Sequence, residues 1–166
     1  MSKLTITIDV EPDLHTRDYI GITQGLKKAE AIFQKHRVKP VLFVTCDCIQ
    51  RFPKMFKAWQ KKGWEISLHG YSHRRFDSMS LAEKENEIKK SIACFKKYLK
   101  TKPIGFRAPQ HSIDDETLDL LNKYGFRYDS SYTPLNLLQL LFFPSKFSLW
   151  SQHFFSRFNA YKIRKF

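Results

Sequence analysis

Short apolar runs and longer amphipathic stretches alternate five times along this chain, and no other feature limits its fold so strongly. Leu4 to Val10 alternates branched apolar residues with threonine and is bounded by acids and Pro12, which predicts a strand. Thr23 to Arg37 spaces Leu26, Ala29, Ile32 and Phe33 at helical intervals with lysines opposite, which predicts a surface helix. Pro40 opens Val41-Leu42-Phe43-Val44, a continuous apolar run of the kind found in strands buried on both faces. A helix from Pro53 to Lys62 and a strand from Trp64 to Leu68 follow. Ser80-Leu81-Ala82-Glu83 is a capping box, opening a helix to Lys100 with Ile88, Ile92, Phe95 and Leu99 along one face. Ile104-Gly105-Phe106-Arg107 begins a fourth strand, Ser112-Ile113-Asp114-Asp115 leads into a helix ended by Gly125, and Phe126 to Ser130 is a fifth strand. Such alternation requires parallel strands joined by right-handed crossovers, an α/β fold.

Ionisable groups gather where these strands end: Asp9 and Glu11 after the first, His69 and His73 after the third, Arg107 after the fourth, Asp129 after the fifth. Active sites of parallel α/β folds lie at that edge, because the strand-to-helix loops converge there. In Glu65-Ile66-Ser67-Leu68-His69-Gly70-Tyr71-Ser72-His73 an apolar strand stops and releases two imidazoles. Two imidazoles and one carboxylate, with a position open for water, make a workable catalytic zinc site. Gly70, and the lack of Glu after His69, argue against the helical histidine pair of metalloproteases. Asp9 and Glu11, two apart on a strand end, face the same side, so one can bind metal while the other stays free as a base.

Ile8-Asp9-Val10-Glu11, the stretch from Glu65 to His73, Phe106-Arg107-Ala108-Pro109 and Tyr128-Asp129-Ser130-Ser131 resemble, in order and spacing, successive motifs of the polysaccharide deacetylases, the NodB-homology group of carbohydrate esterases. The resemblance runs from residue 4 to about 132. It implies a distorted (β/α) barrel binding one divalent metal, usually zinc, with cobalt or nickel as alternatives, and hydrolysing the N-acetyl or N-formyl amide of an amino sugar. By motif position Glu11, His69 and His73 are the metal ligands, with Glu11 standing where many members have aspartate. Asp9 is the catalytic base, Arg107 pairs with it and favours its charged form, and Asp129 supports that network from the neighbouring strand. The metal acidifies water, Asp9 takes the proton, and a backbone N–H near Pro109-Gln110 steadies the oxyanion. Members also supply a proton to the leaving amine from a leucine-x-histidine motif, and none occurs here; His111 and His153 lack its neighbours. That gap, the abrupt end at Phe166 and the missing last strands lead us to expect a barrel incomplete at its C-terminus.

Residues 1–134 therefore form the expected deacetylase core, and 135–166 a basic aromatic segment of different character, without an acidic residue after Asp129. Three expectations attach to that segment: part of the barrel, an amphipathic contact with an anionic membrane presenting a lipid-linked sugar, or, least favoured, a nucleic-acid contact. The net charge of +13 allows an anionic partner without requiring one. Cys46, Cys48 and Cys94 lack zinc or redox spacing and are expected to be small, buried or half-buried thiols in a reducing compartment; no apolar leader follows Met1, so a cytoplasmic protein is expected. His15 and His36 are expected at the surface, and Asp13 and Asp47 in turns or caps. Two other functions stay open: a carbohydrate-binding pseudoenzyme, and a basic interaction protein.

Overall fold

A computed structural model describes residues 4–13 and 16–132. The segment 135–166, with its three readings, His15 and His153 lie outside the described residues. The strands are β1 (Thr7–Val10), β2 (Val41–Val44), β3 (Glu65–Leu68), β4 (Gly105–Phe106) and β5 (Tyr128–Asp129), all parallel and hydrogen-bonded in sequential order. The helices are α1 (Lys27–Lys35), α2 (Cys46–Arg51), α3 (Pro53–Lys61), α4 (Leu81–Leu99) and α5 (Asp115–Lys123). Sequential order without reversal is the winding of a (β/α) barrel wall, and it separates this sheet from doubly wound folds, whose strand order reverses.

Side-chain alternation then sorts the sheet into two faces. Val10, Leu42, Val44, Ile66, Leu68 and Phe106 enter one buried apolar cluster with Ile88, Phe95, Leu99 and Leu121 from the helices. The opposite face carries polar groups, with Ser67 donating to Glu65 at 2.5 Å and Tyr128 also bonded to Glu65. Gly105 sits on that face because a Cβ there would overlap the Tyr128 ring.

Several boundaries differ from expectation. β1 starts at Thr7 rather than Leu4, whose side chain is 94% exposed and gains nothing from pairing. The first helix opens with a π-helical turn, Gly21–Leu26, before α1. Asp13 starts it from a distance, its carboxylate accepting the Ile20 N–H at 2.8 Å and the Gly21 N–H at 3.2 Å. The helix α2 was not anticipated, since six residues are too few to display a period. At α4 the capping box forms as expected: the Ser80 hydroxyl accepts from Glu83 N–H and Glu83 Oε2 accepts from Ser80 N–H at 2.9 Å. The three cysteines are free and buried, and His36 is exposed.

Lys84 of α4 is only 3% exposed at its side chain and binds Asp114 at 2.6 Å and Glu116 at 2.7 Å. Asp114 also caps α5 by accepting the Thr117 N–H at 2.9 Å, so one buried ammonium fastens α4 to the start of α5. With these helices fastened behind the sheet, the loops at its C-terminal edge have a fixed base.

Candidate metal centre

Register decides which groups meet at the sheet edge. Val10, Val44, Leu68 and Phe106 lie side by side across β1 to β4. Glu11, His69 and Arg107 each follow this row by one residue, so three distant segments deliver their side chains at one level. The chain then turns back, and His73 returns to Glu11: its Nε2 and the Glu11 Oε2 are in direct contact. The ligand atoms of Glu11, His69 and His73 all lie within 4.8 Å of one another. The two imidazole centroids are 5.3 Å apart.

The donor set suits a divalent cation. His69 Nδ1 lies 2.8 Å from the Arg107 carbonyl, which can only accept, so this nitrogen carries the proton and Nε2 keeps its lone pair. That is the usual arrangement of a metal-ligating histidine, one nitrogen to a carbonyl and the other to the ion. Burial pushes the His69 pKa down, against the opposing pull of Asp9, which favours the neutral ligand form. The hydrogen bond from His73 holds Glu11 below the usual carboxylate range despite partial burial.

Backbone conformation brings the loop into this shape. Gly70 has φ +88°, and a Cβ there would stand 3.1 Å from Pro109 Cγ. His73 has φ +57°, in the left-handed region that costs a side-chain-bearing residue energy and is held only where its surroundings enforce it.

Beside the three ligands, Arg107 Nη1 donates to Asp9 Oδ1 at 2.7 Å. Its other bonds go to Thr7 Oγ1 at 3.1 Å, the Ser130 carbonyl at 3.1 Å and Ser130 Oγ at 2.8 Å, and the guanidinium lies 4.2 Å from the Phe43 ring centre. One side chain thus knits β1, β2 and the end of β5 while holding Asp9 outside the ligand set. Asp129 reaches this network less directly. Its Oδ1 accepts from Ser131 Oγ at 2.6 Å and its Oδ2 from Ser131 N–H at 3.0 Å, and Ser131 Oγ in turn accepts from Ala108 N–H at 2.7 Å. Burial raises the Asp129 pKa more than those bonds lower it. His111 Nδ1 shares a hydrogen bond of 2.9 Å with the Ser131 carbonyl.

A cleft of about 390 Å³ opens beside the centre, with Arg17, Asp47, Gln50 and Tyr71 lining it together with Glu11 and His73. None of those four was singled out as a site residue from sequence, because no local pattern connects them. Asp47 sits in the first turn of α2 and accepts from the Tyr19 hydroxyl at 2.5 Å.

A family model described as polysaccharide deacetylase matches residues 2–128. The chain belongs to the polysaccharide deacetylase family. It is 33% identical over 130 residues to a peptidoglycan deacetylase-like protein of Gibberella zeae, covering 78% of this chain and 38% of that one. It is 29% identical over 120 residues to a peptidoglycan deacetylase of Helicobacter pylori, covering 72% of this chain and 41% of that one. The chain thus spans about two fifths of the length of these polysaccharide deacetylase relatives. A solved structure from Mycobacterium smegmatis, described as a polysaccharide deacetylase, shares the fold with a TM-score of 0.70 at 24% identity, over 78% of this chain and 50% of that one.

Proposed function

We propose that Glu11, His69 and His73 hold one divalent metal ion, zinc by preference, and that this centre serves hydrolysis of the N-acetyl group of an amino sugar in a glycan polymer. The two peptidoglycan deacetylase relatives make peptidoglycan the first substrate to try. The observation that carries the reading is the convergence of three ligand atoms beside an Asp9–Arg107 pair, with His69 Nδ1 already committed to a carbonyl.

Nitrogen and carboxylate donors in this number suit zinc, with cobalt and nickel as substitutes. A bound divalent cation supplies a Lewis acid to the reacting amide and makes water a better nucleophile near neutral pH. The protein's own groups do the rest. Asp9 accepts the proton of the attacking water; Arg107 occupies its Oδ1, which directs that proton to Oδ2 and prevents Asp9 from swinging into the ligand set. Asp129 acts at one remove, holding Ser131 and through it the backbone of Ala108, next to the arginine that positions the base. The cleft at Arg17, Gln50 and Tyr71 is the space beside the ligands into which a sugar ring fits. Water adds across the amide, the proton that Asp9 took passes to the nitrogen as the C–N bond breaks, and acetate and the free amine leave.

Metal content after purification without chelator tests the centre: about one equivalent of zinc, cobalt or nickel is expected, lost in His69→Ala. Acetate release from peptidoglycan and from N-acetylglucosamine oligomers tests the reaction, with Asp9→Asn expected to abolish it. Metal binding accompanied by glycan binding without acetate release would replace the enzyme with a carbohydrate-binding pseudoenzyme. A metal content that His69→Ala leaves unchanged would remove the centre altogether.

A further inference from the structure

The His69–His73 loop is tethered in two halves. Three contacts pin the first: His69 Nδ1 to the Arg107 carbonyl at 2.8 Å, the Cys46 N–H to the Gly70 carbonyl at 3.2 Å, and the close approach of Gly70 to Pro109. The second half carries His73, whose left-handed backbone is the strained point of the loop. Directly before it, Ser72 gives both its donors to one carboxylate. Its N–H lies 3.0 Å from Glu87 Oε2 and its hydroxyl 3.0 Å from Glu87 Oε1.

Glu87 is an unusual occupant of its position. It lies on the buried face of α4 between Lys84 and Ser91, and is only 8% exposed. A carboxylate is disfavoured there unless hydrogen bonds to it outweigh the lost hydration. Lys84 on the same face spends its charge on Asp114 and Glu116. Both oxygens of Glu87 instead turn to the loop, so the buried charge serves Ser72 rather than the helix packing. A two-point bond to consecutive donors of one residue fixes both its position and its orientation.

We infer that Glu87 is a positioning residue for the metal centre, acting through Ser72 to hold His73 in the left-handed conformation that brings its imidazole to Glu11. The inference rests on the metal-centre reading above. A loop released from Glu87 lets His73 relax toward ordinary backbone angles, which draws its ring away from Glu11 and His69 and leaves a two-ligand site.

The test is a titration of the full chain, stripped of metal, with Co²⁺ against a chromophoric chelator, together with the visible absorption of the cobalt-loaded protein. Glu87→Gln keeps the shape but exchanges two charge-assisted bonds for weaker neutral ones, its carbonyl accepting the Ser72 N–H and its NH₂ donating to the hydroxyl, and is expected to weaken Co²⁺ binding about tenfold, the lower end for partners that orient ligands. Its d–d bands are expected to shift in position and intensity, because the ligand geometry changes. Ser72→Ala, at an exposed position, removes one bond of two; a smaller loss of affinity in the same direction is expected, and this variant tests the idea even where Glu87→Gln fails to fold. Wild-type cobalt affinity and spectrum in both variants would overturn the assignment while leaving the centre standing. A wild-type protein that binds no cobalt would remove the centre and the role of Glu87 with it.

Discussion

Arg107→Lys isolates what the guanidinium fork does, because the charge is retained while the geometry is lost. Four hydrogen bonds leave Arg107, to Asp9, Thr7, the Ser130 carbonyl and Ser130 Oγ, and the group also lies over Phe43. An ammonium is a point donor and cannot span partners on β1 and after β5 together. We give lysine one bond, to Asp9, and count three lost. At about 1 kcal/mol net for each bond, the loss is about 3 kcal/mol. The ion pair adds little, since the Asp9 side chain is 31% exposed and solvent screens it. For a chain of this size 1 kcal/mol moves Tm by about 2–4 °C, so a fall of roughly 6–12 °C is expected. Calorimetry of the metal-free protein, with urea denaturation to check that the m-value is unchanged, measures it. A fall of less than about 3 °C would show that the fork is not what joins these strands.

Three further outcomes are expected. Gly70→Ala forces a side chain into a left-handed conformation, at about 1–2 kcal/mol, and drives its Cβ to 3.1 Å from Pro109, so urea denaturation should register a loss of about 2–3 kcal/mol. Burial opposes the charge on Asp114, but its bonds to Lys84 and Thr117 prevail and lower its pKa. A carboxylate lowered in the fold adds stability that is present above its unfolded pKa of about 3.9 and is lost as pH falls through its folded value, so Tm should decline below about pH 4, and this part of the decline should be smaller in Lys84→Met, where the bonds from Thr117 remain. Burial pushes the Cys48 thiol up to about 12 and Cys46 is also raised, so Ellman's reagent at pH 8 should find fewer than two of the three thiols in the native protein and all three in denaturant.

The elements and their order were legible in the residues because burial leaves a local trace. Two-residue alternation in β1, the apolar run of β2 and the spacing along α4 each report a face turned to the core, and a capping box reports a helix start. The edge at which polar residues collect followed from the same parsing, since each of Asp9, Glu11, His69 and Arg107 lies at or just past a strand end. What escaped were features too short or too irregular to carry a period, namely α2 and the π-helical turn before α1.

The sequence by itself determined which residues stand at the ends of parallel strands, because strand direction and side-chain alternation are properties of neighbouring residues. Only the tertiary structure decided which of them touch. Strand register set Glu11, His69 and Arg107 level, the left-handed turn at His73 brought its imidazole to Glu11, and Asp129 was assigned to Ser131 rather than to Arg107 directly. Glu87 shows the division most plainly. Nothing in the residue pattern of α4 singled it out, because its reason lies in Ser72, fifteen residues earlier and across a loop, where only the folded chain brings the two donors to the carboxylate.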